Sequence, residues 1–364
     1  MATILARSGK ARVLEFVSRS GVMQTPFFMA VATRATGKII TSDDYNANAQ
    51  QAIICNALVT YLRPGLEAIK KAGGLHKFMN FHGLIATDSG GFQMSRGFFE
   101  KSSKNALHFR SPYDQSLHVI TPEKMMDIEM TLGSDIAMAL DVMMPYGSSE
   151  ADFKKALDIT LAWHQRAKKA HTDAKQLLFG IVQGGFSDEL RAFAAKAINE
   201  MDFPGNAVGG LAIGEPSSEM FQALRISLPL LDEHKPRYVM GLGSPPDVLE
   251  AISLGADMFD SIYPTKSGRH HKLFTFAGPL TIDQGKYRLD FSPLEEGCDC
   301  LVCQKYTKAY VYHLSKIGDP VGKRFEQIHN LRFMQRLMDR SREEIKTNTF
   351  EAFKTAFQKN WGWK

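Results

Sequence analysis

A chain of 364 residues, 44% hydrophobic and 23% charged, has the composition of a folded globular protein and can bury one large core. Its net charge of +5, from 44 basic and 39 acidic residues, excludes a wholesale polyanion binder, so any nucleic-acid surface must be a local patch. No apolar run reaches the length of a membrane span, and the start, Met1-Ala2-Thr3-Ile4-Leu5-Ala6-Arg7, lacks the pattern of a secretion signal.

Residues 1–25 read as a small β-ribbon, with Ala11–Val17 strand-like and Ser18-Arg19-Ser20-Gly21 as its turn. Eight β-rich apolar runs follow: Pro26–Thr33, Ala52–Val59, Gly83–Asp88, Asp135–Asp141, Leu177–Gln183, Ala207–Ile213, Arg237–Gly243 and Asp257–Tyr263. They are apolar nearly throughout, as parallel strands covered on both faces must be. Helical spacing fills the intervals. Phe153, Leu157 and Leu161 lie at i, i+4 and i+8, and Ser187-Asp188-Glu189 opens another helix. Eight βα units in series predict a closed (β/α)8 TIM barrel rather than a doubly wound open sheet.

Past the eighth run the composition changes. Lys272–Phe291 reads as short strands, a cysteine cluster occupies 298–303, and helical patterns fill 304–317, 322–346 and 349–359. The expected division is 1–271, ribbon and barrel strands carrying the catalytic site, and 272–364, a small metal-binding subdomain with closing helices.

Several runs end in residues that a buried strand would not select. These are Asp88 with Ser89-Gly90-Gly91-Phe92-Gln93, Asp141, Gln183 with Gly184-Gly185, Gly209-Gly210-Leu211, Met240-Gly241-Leu242-Gly243, and Asp260. In a barrel these positions converge at the carboxyl-end mouth, where catalytic groups collect. Asp88 and Asp260 suit a nucleophile and a proton shuttle facing an anomeric carbon, which fits a glycoside hydrolase equally well. A third carboxylate, an amide and glycine-exposed backbone add the groups that read a purine edge: Asp141 can accept from N1–H and the 2-amino group, and Gln183 or a backbone N–H can donate to O6.

Of the four cysteines, Cys55 stands alone, while Cys298, Cys300 and Cys303 form one knuckle. This is metal chemistry in a reducing compartment, the cytoplasm, rather than a disulfide framework. Tetrahedral Zn2+ needs a fourth ligand, for which His313 and His329 are candidates, and a closed site of this kind is structural. The basic stretch Pro264-Thr265-Lys266-Ser267-Gly268-Arg269-His270-His271-Lys272, directly after the eighth run, can meet RNA phosphates or bases.

Together the motifs Asp88–Gln93, Phe179–Gly185, Val208–Glu215, Met240–Gly243, Phe259–Arg269, Cys298–Cys303 and Ile328–Leu331 resemble the tRNA-guanine transglycosylases, in particular their bacterial queuosine-forming branch, from about Arg12 to Ile345. The resemblance implies an irregular (β/α)8 barrel, a zinc subdomain near the last helix, a homodimer, and no nucleotide cofactor. It implies Asp260 as nucleophile and Asp88 as general acid/base. Asp141, Gln183 and the Gly210 backbone would grip the base, the Leu211 carbonyl would meet the C7 substituent, and Phe92 and Met240 would sandwich the ring. It further implies anticodon contacts at Lys266 and Arg269, with His329 as the fourth zinc ligand.

The expected reaction exchanges guanine in tRNA for 7-aminomethyl-7-deazaguanine (preQ1). Alternatives are queuine as the incoming base, DNA as substrate, or a non-catalytic RNA-binding subunit. The chain departs from the bacterial pattern at Ala57-Leu58-Val59, at Val142-Met143 and at Lys266, where arginine is common.

Overall fold

The computed structural model describes residues 2–90 and 99–363. Strands β1 (Thr3–Ser8), β2 (Ala11–Ser18) and β3 (Gly21–Gln24) form an antiparallel ribbon. Then come β4 (Phe27–Val31), β5 (Ala52–Asn56) and β6 (Leu84–Asp88), followed by an inserted antiparallel sheet of β7 (Phe99–Ser102), β8 (Leu107–Arg110) and β9 (Leu117–Ile120). The chain continues through β10 (Ile136–Met138), β11 (Leu177–Val182), β12 (Gly205–Val208), β13 (Arg237–Val239) and β14 (Met258–Ser261). A two-stranded piece, β15 (Lys272–Leu273) with β16 (Leu280–Thr281), lies beyond the barrel strands.

The eight predicted runs supply the eight strands of one closed parallel barrel, in spatial order β10-β11-β12-β13-β14-β4-β5-β6. Alternation along each strand sorts its residues. Phe27, Met29, Ile54, Ala86, Met138, Phe179 and Met258 fill the barrel interior, while Phe28, Ile53, Ile85 and Phe259 face the helices. Leu14 and Phe16 of β2 join the interior cluster, so the ribbon plugs one end.

Two buried aspartates tie the ribbon down. Asp257 takes Arg12 Nε at 3.0 Å and Nη2 at 2.5 Å, a bidentate pair with both side chains out of solvent. Asp135 accepts the Ser20 N–H at 2.6 Å and the Ile85 N–H at 2.8 Å.

Several boundaries differ from expectation. The second run stops at Asn56 because its side-chain oxygen accepts the Val59 N–H at 2.8 Å, capping the helix Ala57–Thr60. The sixth starts at Gly205 and stops at Val208, since Gly210 (φ 67°) and Ala212 (φ 56°) carry the chain out of extended geometry. On helix Glu150–Ala170 it is Leu157, Trp163 and Ala167 that are buried, with Phe153 and Leu161 only half-covered. The inserted sheet was not anticipated: its strands are only four residues long and mix apolar with polar residues.

Helix Pro320–Lys346 packs against β1, β2 and β4 and closes the barrel wall. Gln335 Nε2 reaches the Phe28 carbonyl at 3.2 Å, and Arg342 Nη1 the Pro26 carbonyl at 2.6 Å. Among the described residues no helix is long and apolar enough to cross a membrane.

Candidate active site and metal centre

Interior parity continues past the packed core to the carboxyl ends of the strands, and there it delivers polar side chains. Asn56, Asp88 and Asp260 extend the alternating rows that begin with Ile54, Ala86 and Met258, and Tyr238 of β13 belongs to the interior cluster itself. Asp88, Tyr238 and Asp260 open into one cavity of about 470 Å³, with Asn56 behind Asp88. Asp88, Asp141, Gln183, Gly210, Leu211, Met240 and Asp260 all line it. Phe92 lies outside the described residues.

Each carboxylate has its own environment. Asp260 Oδ1 accepts the Tyr238 hydroxyl at 2.5 Å and the Gly241 N–H at 2.8 Å. Its Oδ2 has no hydrogen-bond partner among the described residues. Burial raises the Asp260 pKa, and these two donors oppose the rise. Gly241 can aim its N–H this way because it sits at φ 79°, a left-handed geometry that glycine adopts without cost.

Asp88 accepts from Asn56 Nδ2 at 2.7 Å, and the Gly90 backbone N–H also restrains its pKa. Burial, and then the charges of Asp260 and Asp141, push its pKa up to about 8. Asp88 therefore holds its proton at neutral pH, whereas the two donors on Asp260 favour its carboxylate form. Burial raises Asp141 to about 6, restrained by Gln183 Nε2, which donates to its Oδ2 at 2.7 Å. One Gln183 N–H is thus already committed within the protein, which leaves the Gly210 N–H as an open donor on that side.

Neither Asp141 nor Asp260 caps a helix; Ser149 caps the helix after Asp141, and helix Tyr263–Arg269 has no side-chain cap. Asn56 and Tyr238 were missed in the sequence. Tyr238 had a readable signal, two residues before Met240 and so on the same strand face, whereas Asn56 lay inside the apolar run Ala52–Val59 with nothing to mark it as a strand end. The basic stretch is helical over Tyr263–Arg269 rather than a loop. Lys266 is exposed on that helix, and Arg269 is half-buried, donating to Gln327 Oε1 at 2.8 Å. Neither lines the cavity.

Cys298, Cys300, Cys303 and His329 bring their ligand atoms within 4.8 Å of one another. His329 Nδ1 stands 3.8 Å, 3.8 Å and 3.4 Å from the three sulfurs. Its Nε2 is 2.8 Å from the Phe274 carbonyl, which holds the proton on Nε2 and turns Nδ1 to the thiols. Three soft thiol sulfurs and one imidazole nitrogen, all on one point, suit a tetrahedral metal ion. His313 is exposed and takes no part. The long helix that packs on the barrel carries His329, so the cluster fastens residues 298–303 to the main fold.

A family model described as "Queuine tRNA-ribosyltransferase" matches residues 6–362. Curated relatives bearing that same name include one from Thermoanaerobacter sp. (strain X514), 44% identical over 94% of this chain and 92% of its own. One from Desulforamulus reducens is 42% identical over 96% and 95%, and one from Idiomarina loihiensis 40% identical over 96% and 94%. The barrel mouth with its paired carboxylates, the Cys3His cluster and matches along nearly the whole chain make this protein a member of the queuine tRNA-ribosyltransferase family, enzymes of the glycosyltransferase class.

Proposed function

We propose that this enzyme exchanges guanine at the wobble position of tRNAs with GUN anticodons for a 7-deazaguanine, preQ1 foremost, by double displacement through an Asp260–RNA ester. The supporting observation is the single pocket in which Asp260 and Asp88 hold unlike environments beside Asp141. Asp260 Oδ2, free of protein donors among the described residues, attacks C1′. The C1′–N9 bond breaks towards guanine, and N9 takes the proton that Asp88 holds at neutral pH. After guanine leaves, the incoming base gives its N9 proton back to Asp88 as N9 attacks C1′, and the ester breaks to free the Asp260 carboxylate. Two inversions give retention.

Asp141 accepts from N1–H and the 2-amino group, and the Gly210 N–H, with Gln183 beside it, donates to O6. The Leu211 carbonyl meets the substituent at C7. Met240 covers one ring face and Phe92 the other, while Lys266 and Arg269 meet the anticodon loop. We further assign Zn2+, one per chain, to Cys298, Cys300, Cys303 and His329. With all four positions filled by protein, its role is structural. A homodimer, a cytoplasmic location and a boundary near 271 between barrel and zinc subdomain complete the reading.

Unmodified GUN tRNA incubated with radiolabelled guanine tests it. Label enters the wobble position, and Asp260→Asn abolishes a denaturation-resistant protein–RNA adduct. Label that enters DNA instead of tRNA refutes it in favour of a DNA substrate.

A further inference from the structure

Arg191, the fourth residue of helix Asp188–Glu200, is 0% exposed. It makes no ion pair among the described residues, although a buried cation without a partner is strongly unfavourable. Its position in the first helical turn is also unfavourable for positive charge. What it does touch is backbone. Nε donates to the Gly185 carbonyl at 2.6 Å, and Nη1 to the Gly209 carbonyl at 2.9 Å and the Val182 carbonyl at 3.3 Å. Nη2 has no partner. Burial lowers its pKa to about 10, so it stays charged at neutral pH. Glu215 is the carboxylate whose charge reaches it, but Glu215 is engaged with the N–H groups of Ile213 at 2.8 Å and Gly214 at 3.0 Å.

All three carbonyls belong to the ends of β11 and β12, where Gln183 and Gly210 enter the pocket. A peptide whose carbonyl is bound by a cation becomes a stronger N–H donor, because hydrogen bonds in a chain polarise one another. The amide that carries the Gly209 carbonyl also carries the Gly210 N–H, which has no partner among the described residues, and both glycines line the cavity.

We propose that Arg191 is a positioning residue that polarises the Gly209–Gly210 peptide, strengthening the Gly210 N–H as donor to the purine 6-oxygen while negative charge builds on the departing base. This rests on the base-exchange reading above. A preorganised donor aimed at developing charge acts on the rate of bond cleavage more than on ground-state binding.

The test compares two tRNAs under single turnover, one with guanine at the wobble position and one with 2-aminopurine, which keeps the 2-amino group but lacks the 6-oxygen. For guanine, Arg191→Met lowers the rate of adduct formation about tenfold or more, with tRNA affinity unchanged. For 2-aminopurine the wild type is already slow, and the substitution changes it less than twofold. Arg191→Lys keeps the charge and loses about threefold, on guanine only; if Arg191→Met does not fold, this variant carries the comparison. Equal losses on both substrates, or a loss in tRNA affinity alone, mean a merely structural staple and overturn the proposal. A wild type that does not exchange guanine at all overturns the parent reading instead.

Discussion

Removing the Tyr238 hydroxyl tests how Asp260, the proposed nucleophile, is held as a carboxylate. Tyr238 is 1% exposed, and burial together with Asp260 holds its own pKa well above 10, so it remains a phenol donor over the working range. In Tyr238→Phe, Asp260 keeps only the Gly241 N–H on Oδ1. A hydrogen bond to a charged group contributes about 1.5–3 kcal/mol. At about 1.4 kcal/mol per pH unit this corresponds to a rise of about one to two units in the Asp260 pKa. The sign follows directly: the donor favours the carboxylate, its loss favours the acid, and the acid cannot attack C1′. The acidic limb of the rate of adduct formation therefore moves to higher pH by that amount. The assay is single-turnover trapping of the protein–RNA adduct from pH 5 to 9, with circular dichroism to show that the near-isosteric phenylalanine leaves the fold unchanged. An acidic limb that stays where the wild type has it refutes the assignment of Asp260 as the ionised nucleophile held by Tyr238.

Asp88→Asn should stabilise the protein at neutral pH. The folded pKa of about 8 lies above the ordinary 3.8, so the unfolded chain ionises first and wild-type stability falls as pH rises between those values. Melting curves of wild type and Asp88→Asn should coincide near pH 4, diverge by up to about 1.4 kcal/mol per unit towards pH 8, and run parallel beyond it; curves parallel throughout would contradict the raised pKa. Chelation should release one Zn2+ per chain and lower the melting temperature, as should Cys300→Ala, because the Cys3His set holds 298–303 to the long helix; metal analysis giving two ions or none counts against it. Arg12→Met should cost about 3–5 kcal/mol in urea unfolding by stranding buried Asp257, with part regained in the double variant Arg12→Met/Asp257→Asn; a loss under 1 kcal/mol in the single variant would show that water reaches that pair.

What could be read from the sequence has a common physical origin. Parallel strands covered on both faces must be apolar nearly throughout, so the eight barrel strands stood out, and Asp88 and Asp260 were conspicuous as the polar ends of such runs. Three thiols within six residues likewise announced a metal knuckle. Four-residue strands such as β9, with Leu117 and Val119 left exposed, carry no comparable signal, which is why the inserted sheet was invisible. The helix over Tyr263–Arg269 was hidden too, since Pro264 and Gly268 resemble loop punctuation when packing against the long helix is not known.

Within the site, the sequence alone determined which groups are present, and tertiary structure decided what each one does. Whether Asp260 faces Tyr238, whether Gln183 donates to Asp141, and which carbonyls surround Arg191 depend on the register between neighbouring strands and on loops that leave the barrel at positive φ. Those distances set the local dielectric and the donors. In this protein they give two chemically identical aspartates unlike surroundings, a difference that local sequence does not encode because the partners lie tens of residues or more away.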